Sequence, residues 1–258
     1  MGKDRLESGR GRPAGVVKGS KASSKRPFYA ALAVVAVVGA GLVGYAASRP
    51  REAERVMMET KGNPDSARPY VLGRPDAPVT VLEFADFECP ACGSFATVTE
   101  PDVRQRLIDP GIIQLHFYDF PLSVHRNTWA ASNAAACADE QGKFWAMHDA
   151  IFATQDQWNG EATSNPKKAL TAAARQAGLD LPPWEQCYDA RKYQQRVANN
   201  QAEALRRDVR STPTFVISGR ANPGALSYDQ FKAAVDSALN AKGVKPAPAA
   251  AALTPRGE

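Results

Sequence analysis

Residues that build metal sites are scarce in this sequence, whose 258 residues include four cysteines and three histidines. Zinc sites usually combine two closely spaced pairs of cysteine or histidine ligands. Only Cys89 and Cys92 are closely spaced, Cys137 and Cys187 lie far from each other, and the histidines have no H-x3-5-H spacing. We therefore expect the chain to bind no metal ion and to use no cofactor.

A net positive charge is also lacking outside the N-terminal tail. Residues 1–27 contain eight basic and two acidic residues, a balance of +6, whereas the whole chain carries +5. Residues 28–258 therefore have a net charge of −1, and their composition does not predict a nucleic-acid partner. A cationic tail directly before an apolar segment is a membrane-topology signal instead, because basic flanks stay in the cytoplasm.

The segment from Phe28 to Ala47 contains 20 residues and no charge. As a helix it would be about 30 Å long, which matches the hydrocarbon core of a bilayer. The pattern predicts a single-pass anchor in the cell membrane, with everything after Ser48 on the outer side. Small residues at positions 46 and 47 leave a cleaved signal segment as the alternative, and the rest of the chain would then be periplasmic or secreted.

The closely spaced cysteines occur in the motif Cys89-Pro90-Ala91-Cys92, shortly after the apolar run Val79–Phe84. A strand that leads through such a motif into a helix places the first thiol at the helix N-terminus. Unpaired N–H groups and the helix dipole favour the thiolate there. A thiolate attacks disulfides, and the second cysteine can close onto the first. The motif predicts a reversible dithiol switch, with half of a zinc site and an inert structural disulfide as the alternatives.

A second motif, Ser211–Ile217, reads as a strand that opens with a proline. Proline is tolerated at the start of a strand, so an ordinary trans strand start is one interpretation. The other is a cis bond between Thr212 and Pro213. Beside the two sulfurs, a cis turn would expose the backbone of residue 212 for pairing with an extended substrate strand.

Three segments resemble the DsbA-like branch of the thioredoxin superfamily: Gly73–Ala96, Ala135–Trp145 and Ser211–Gly219. The resemblance covers about residues 70 to 240. It implies an α/β thioredoxin fold with a helical insertion at about residues 122–209. It also implies roles for the two motifs, with Cys89 as the attacking thiol, Cys92 as its buried partner, Pro90 and Ala91 as the active-site dipeptide, and Thr212 and Pro213 as the cis-proline loop.

The resemblance also bears on Cys137 and Cys187, which lie on two different predicted helices of the insertion. Two separate buried thiols are one interpretation. The resemblance supports a structural disulfide that joins the two helices, with a stabilising effect of about 4 kcal/mol in the chain-entropy model.

Three carboxylates lie close to the first motif in the sequence. Glu83 lies in the apolar run, where burial raises the pKa of a carboxyl group. The DsbA-like pattern makes it a proton acceptor and donor for Cys92, and the alternative is a solvent-facing residue on an edge strand. Asp86 and Glu88 precede Cys89, and we expect them to be solvated and to oppose thiolate formation.

The sequence divides into five parts: a basic cytoplasmic tail (1–27), the membrane or signal segment (28–47), a linker (48–69), the DsbA-like domain (70–242) and a disordered tail (243–258). Within the domain, apolar runs predict strands at Val79–Phe84, Ile112–Phe117 and Thr214–Ile217. A helix is expected from Cys89 to about Leu107. A last helix, Ser227–Leu239, has Ser227 as its N-cap.

The function implied by the resemblance is an extracytoplasmic thiol:disulfide oxidoreductase that donates a disulfide to reduced, unfolded or secreted polypeptides. It further implies a membrane protein, linked to quinone, that reoxidises the dithiol. An extracytoplasmic thiol reductase, for example in cytochrome maturation, would share the same residues and differ only in reduction potential. A membrane-tethered peptide-binding or chaperone module without redox turnover is the alternative of another class.

Overall fold

The computed structural model describes residue 29, residues 34–41 and residues 61–244. Residue 29 and residues 34–41 are helical and belong to a unit separate from the one that contains residues 61–244. Among these described residues, no helix has the length and apolar character needed to cross a membrane. The predicted basic tail, and most of the predicted membrane segment, linker and C-terminal tail, lie outside the described residues.

Five strands form one mixed sheet in the order β1-β3-β2-β4-β5. Their bounds are β1 (Tyr70–Leu72), β2 (Val79–Ala85), β3 (Ile113–Asp119), β4 (Thr214–Ile217) and β5 (Arg220–Pro223). Strand β2 pairs in parallel with β3 and antiparallel with β4, so it is the central strand. The predicted α/β fold is confirmed. The short edge strands β1 and β5 were not predicted, because neither contains a long apolar run.

Helix α1 follows β2 and begins at Pro90, whose missing N–H costs nothing in a first helical turn. It consists of four consecutive segments: Pro90–Ser94, Phe95–Thr99, Glu100–Val103 and Arg104–Ile108. The second and fourth segments are π turns; Glu100 N–H, for example, donates to Phe95 O, five residues back. The first π turn lies directly before Pro101, whose ring would clash with the carbonyl of residue 97 in a regular α-helix.

The insertion between β3 and β4 contains six helices: α2 (Thr128–Asp139), α3 (Phe144–Ala153), α4 (Gln155–Trp158), α5 (Lys167–Gln176), α6 (Leu181–Asp189) and α7 (Gln194–Arg206). Alanines allow neighbouring helices to approach α2 closely, and nine of its twelve residues are buried. A disulfide joins Cys137 on α2 to Cys187 on α6. Next to it, Trp184 Nε1–H donates to Ala134 O at 3.0 Å, so the two helices are held by a covalent bond and a hydrogen bond.

Helix α8 (Tyr228–Ala241) follows β5 and begins with a capping box. Ser227 accepts from Gln230 N–H, and the Gln230 side chain accepts from Ser227 N–H. Its apolar side chains Phe231, Val235 and Leu239 pack with Val79 and Val81 of β2 and with apolar residues of α1. Since alternate residues of a strand point to the same face, Glu83 shares the face of β2 that carries Val79 and Val81.

Replacing Cys137 and Cys187 together with alanine should lower the free energy of unfolding by up to about 4 kcal/mol. The reason is that the bond closes a loop between residues separated by 50 positions. Chemical denaturation of a Cys89→Ser/Cys92→Ser background, with and without the additional alanines, measures this effect without thiol exchange. A loss below about 1 kcal/mol would contradict a structural role for the bond.

Candidate active site

The two sulfurs of the Cys-Pro-Ala-Cys motif differ in exposure because they occupy different positions in α1. Cys89 is the N-cap residue, with extended backbone angles (φ −70°, ψ 122°), and Cys92 lies in the first helical turn. Cys89 is 8% exposed and Cys92 is 1% exposed, and both are free thiols. Solvent and a substrate therefore reach the sulfur of Cys89 first.

The N-terminal position of Cys89 favours its thiolate. Its pKa is lowered from the ordinary value to about 5, chiefly by the hydrogen bond from the Cys92 thiol, and further by the Thr212 side chain and the backbone N–H groups of Ala91 and Cys92. These donors outweigh the partial burial of the sulfur, which acts in the opposite direction. At neutral pH the reduced site therefore holds Cys89 as a thiolate.

Cys92 behaves in the opposite way. Burial raises its pKa well above the ordinary value, and the neighbouring Cys89 and the charge of Glu83 raise it further. The thiol of Cys92 therefore keeps its proton while Cys89 is ionised. This asymmetry distinguishes a sulfur that attacks from one that must lose a proton before it can react.

The loop before β4 lies against Cys89. The peptide bond between Thr212 and Pro213 is cis, and the Cys89 thiol donates to Thr212 O at 3.4 Å. Pro213 O already accepts from Gly224 N–H at 2.7 Å. The fold thus brings together two motifs that are 123 residues apart in the chain.

The expectation that Asp86 and Glu88 are solvated is wrong, because Asp86 is 0% exposed and Glu88 is 7% exposed. Asp86 accepts from Glu88 N–H and Leu122 N–H, both at 2.8 Å. Glu88 accepts from Asn127 N–H at 2.6 Å and Gly160 N–H at 2.5 Å. A Cβ at position 160 would lie 2.8 Å from Glu88 Oε1, so glycine permits this approach. Backbone donors thus replace the water that both carboxylates lose on burial.

His125 also lies at the site, although its sequence context predicts no defined role there. Its Nδ1 lies 2.7 Å from Asp86 Oδ2. The pKa of His125 is raised, first by this hydrogen bond and also by the charges of Glu88 and Cys89. The residue precedes α2 and is 36 positions from Cys89, so only the tertiary fold reveals the pairing with Asp86.

Gln155 at the start of α4 is another site residue that sequence reasoning missed. Its Nε2 donates to Phe87 O at 2.7 Å and to Cys89 O at 3.0 Å. These bonds fix the backbone on both sides of Glu88, directly before α1. A lone glutamine in a polar helix carries no sequence signal of this kind.

Glu83 lies in the central strand and is 1% exposed, so the alternative of a solvent-facing residue on an edge strand is wrong. Burial raises its pKa well above the ordinary value, and the charge of Glu100 on α1 raises it further, whereas Arg104 lowers it. Glu83 in turn contributes to the raised pKa of Cys92. Glu83 is therefore a buried carboxyl group whose ionised form is disfavoured and whose charge acts on the buried thiol.

The disulfide between Cys137 and Cys187 excludes two alternatives that the sequence leaves open, namely two separate free thiols and a four-cysteine zinc site. These cysteines are not separate free thiols, and neither is available to complete a four-cysteine zinc site with Cys89 and Cys92. Within residues 61–244 and the described part of the N-terminal helix, no group of three or more metal-binding side chains is assembled.

Titration of the reduced protein, followed by thiolate absorbance, should show one cysteine ionisation near pH 5. A Cys92→Ala change should raise the pKa of Cys89, because it removes the largest contribution to the lowered value. A Cys92→Ser change serves as the matched control, since a hydroxyl can still donate to the thiolate, and it should raise this pKa less. A midpoint close to the ordinary thiol value of about 8.5 in the unchanged protein would contradict the assignment.

Comparison with known proteins places this site in a family. A family model described as thioredoxin matches residues 65–237. The Na(+)/H(+) antiporter NhaA 3 of Salinispora tropica is 37% identical over 183 residues, which are 70% of this chain and 26% of the antiporter. The chain thus spans about a quarter of the length of the antiporters it matches. The probable disulfide bond formation protein D of Bacillus anthracis is 28% identical over 170 residues, 65% of this chain and 77% of that protein.

Solved structures with the same fold cover most of the described residues. The α-DsbA1 of Wolbachia pipientis has a TM-score of 0.60 at 22% identity and covers 67% of this chain and 92% of its own. Oxidised BdbD from Bacillus subtilis has a TM-score of 0.59 at 22% identity, with 70% and 99% covered. A thioredoxin-like oxidoreductase from Silicibacter pomeroyi has a TM-score of 0.55 at 28% identity, with 67% and 92% covered. The chain therefore belongs to the thioredoxin family and is a DsbA-like member of the thioredoxin superfamily.

Proposed function

We propose that this protein is a thiol:disulfide oxidoreductase that donates a disulfide to reduced polypeptides outside the cytoplasm. The observation that carries the proposal is the opposite ionisation of two sulfurs in one helical turn: the pKa of Cys89 is lowered to about 5, and that of Cys92 is raised. Disulfide exchange needs one accessible sulfur that leaves readily as a thiolate and a second sulfur that closes onto it.

The reaction begins with the oxidised Cys89–Cys92 pair. A substrate thiolate attacks Cys89 Sγ, a mixed disulfide forms, and Cys92 leaves and takes up a proton because its pKa is high. The second substrate thiolate then attacks the substrate sulfur of the mixed disulfide, and Cys89 leaves as a stable thiolate. Two electrons pass from the substrate to the protein, which ends with a thiolate at 89 and a thiol at 92.

Thr212 and Pro213 are proposed to align the substrate beside Cys89. Thr212 O lies 3.4 Å from Cys89 Sγ. It accepts a hydrogen bond from this sulfur only while Cys89 carries a proton. In the thiolate and disulfide forms this carbonyl is free to accept from the backbone of an extended peptide, as in strand addition. Pro213 O is already paired with Gly224, which makes Thr212 the better candidate.

Glu83 is proposed to exchange a proton with Cys92. It is buried on the face of β2 that faces α1, and its charge influences the pKa of Cys92. A carboxyl group with a raised pKa can give a proton to the leaving thiolate and take it back when the disulfide re-forms.

The direction of electron flow follows from the stability of the reduced site. Whatever stabilises the Cys89 thiolate makes the disulfide form more oxidising, so the lowered pKa favours an oxidase over a reductase. The relative named probable disulfide bond formation protein D supports the same direction. We infer that a membrane protein linked to quinone restores the Cys89–Cys92 disulfide, in keeping with the family resemblance.

A location outside the cytoplasm is supported by the bond between Cys137 and Cys187, because structural disulfides persist in oxidising compartments. The basic residues 1–27 and the uncharged segment 28–47 support either a single-pass membrane anchor or a cleaved signal segment.

Oxidised protein should convert a reduced, unfolded polypeptide with two thiols to its disulfide form, with one disulfide transferred per protein molecule. Cys89→Ser should abolish the transfer. Cys92→Ser is the matched control: it keeps the Cys89 thiolate but cannot form the internal disulfide, so it should transfer none, and with glutathione disulfide it should accumulate the Cys89–glutathione adduct because no Cys92 thiol can displace the glutathione. Thiol counting by mass spectrometry checks all three proteins, and substrate binding without oxidation by the unchanged protein would favour the binding module instead.

The reduction potential should lie well above about −270 mV, toward the value of about −120 mV found for strong oxidants. Equilibration of the Cys89–Cys92 pair with glutathione measures it directly. A potential near −270 mV or lower would overturn the oxidase and favour the reductase.

A further inference from the structure

A row of ionisable side chains leads from the buried active-site sulfur to the protein surface. Glu83 on β2 and Glu100 on α1 are each 1% exposed, and His148 on α3 is 0% exposed. The row ends at Asp149, whose side chain is 51% exposed. These four residues, here called the acid–histidine row, extend from the buried strand β2 across α1 to the solvent-exposed Asp149 on α3.

Three atoms of the acid–histidine row are buried and have no hydrogen-bond partner within the described residues: Glu83 Oε2, Glu100 Oε2 and His148 Nε2. Glu100 Oε2 lies 3.8 Å from His148 Nε2. One water molecule, or a small change of rotamer, closes such a gap. Buried polar atoms are nearly always paired in proteins, so three unpaired atoms in one row call for a functional explanation.

The remaining contacts give the row a direction. Arg104 donates through Nε to Glu100 Oε1 at 2.8 Å, which leaves Oε2 of that carboxylate to accept a proton. His148 Nδ1 lies 2.8 Å from Asp149 Oδ1. Since a carboxylate only accepts, Nδ1 carries a hydrogen toward Asp149, and Nε2 is the ring atom that faces Glu100.

The surroundings insulate the row from other polar groups. Aromatic rings contact the His148 ring: Phe87, Phe117, Phe144, Trp145 and Phe152. The neighbours of Glu83 in the flanking strands are Phe117 and Phe215. The charged or titratable groups outside the row that act on it or on Cys92 include Arg104 and Cys89. Arg104 bonds Glu100 and both carboxylate oxygens of Asp149, whereas the neighbours of the His148 ring named above are aromatic.

Glu100 lies where helix α1 departs from regular α-helical hydrogen bonding. Its N–H closes the first π turn, and the second π turn begins four residues later at Arg104. Such π turns interrupt α-helices mostly at functional sites. The irregular turns thus set the positions of Glu100, which belongs to the row, and of Arg104, which contacts the row.

We propose that Glu83, Glu100, His148 and Asp149 conduct the proton of Cys92 between the buried sulfur and the solvent. The inference rests on the proposed function, because only disulfide exchange requires Cys92 to lose and regain a proton. Glu83 is the inner end of the route, and Glu100, His148 and Asp149 extend it to the surface.

The step is clearest when a mixed disulfide at Cys89 is resolved. The thiol of Cys92 gives its proton to Glu83. A proton then passes from Glu83 to Glu100 Oε2 and from there to His148 Nε2. His148 releases its Nδ1 proton to Asp149, and Asp149 releases a proton to water. The Cys92 thiolate attacks Cys89 Sγ, the Cys89–Cys92 bond forms, and the bound group departs as a thiolate. The acid–histidine row moves one proton and no electrons, and the same route in reverse protonates Cys92 when it leaves.

The test follows reduced full-length protein after mixing with glutathione disulfide. Acid quenching and mass spectrometry separate the Cys89–glutathione adduct from the Cys89–Cys92 disulfide, which gives the rate of the second step between about pH 5 and pH 9. The variants are Glu100→Gln and His148→Gln. The matched control is Glu203→Gln, because Glu203 is also buried and ion-paired, with Arg206 and Arg207, but lies on α7.

In the unchanged protein and in Glu203→Gln, the second step should depend little on pH around neutrality. In Glu100→Gln and His148→Gln it should be slower by about tenfold or more at pH 7, as expected when internal acid–base catalysis is lost. Its rate should then rise about tenfold per pH unit, because Cys92 depends on hydroxide from solvent. The equilibrium with glutathione should change much less than the rate, since loss of a proton route alters rates only and the removed charge acts on Cys92 indirectly.

Failure of the two ideas can be told apart. If the unchanged protein forms no adduct or no Cys89–Cys92 disulfide, the proposed function itself is overturned. If it turns over normally and both relay variants match Glu203→Gln in rate and pH slope, the proton route is overturned and the function stands. A shift of the glutathione equilibrium as large as the change in rate would also overturn the route, because it would show a purely electrostatic effect on Cys92.

Discussion

The site depends on how the backbone passes from β2 to α1. The last three residues of β2 are buried, and only four residues separate the strand from Pro90, where the helix begins. Asp86 and Glu88 hold this short connection by accepting N–H groups from Leu122, Asn127 and Gly160. Together with the bonds from Gln155, they hold the turn in which Cys89 becomes the N-cap of α1.

The same connection explains how two buried carboxylates coexist with a thiolate. Each is occupied by backbone donors, and Asp86 also binds His125, whose pKa it raises. The sulfur itself is stabilised at shorter range by the Cys92 thiol, Thr212 and the N–H groups of the first helical turn. The repulsion expected from the sequence is therefore offset by pairing, and the thiolate can form next to acidic residues.

The central strands, the start of α1, the capped last helix and the positions of the two motifs could all be predicted from the sequence. Each has a strong local signal, such as the apolar run Val79–Phe84 or the N-cap at Ser227. The edge strands β1 and β5 could not, because they have three and four residues and little apolar character. Gln155, His125 and His148 could not be assigned either, since their partners are brought to them by the tertiary fold.

The bonds of Cys89 to distant parts of the chain also have a consequence for synthesis. Thr212 and Gln155 contact this residue across 123 and 66 positions. A ribosome releases the Cys-Pro-Ala-Cys segment long before either partner exists, and domains generally fold as whole units. Until β4 docks beside β2, the Cys89 sulfur of the nascent polypeptide therefore lacks the stabilisation from Thr212, and it gains its full reactivity only after the ribosome has passed β4.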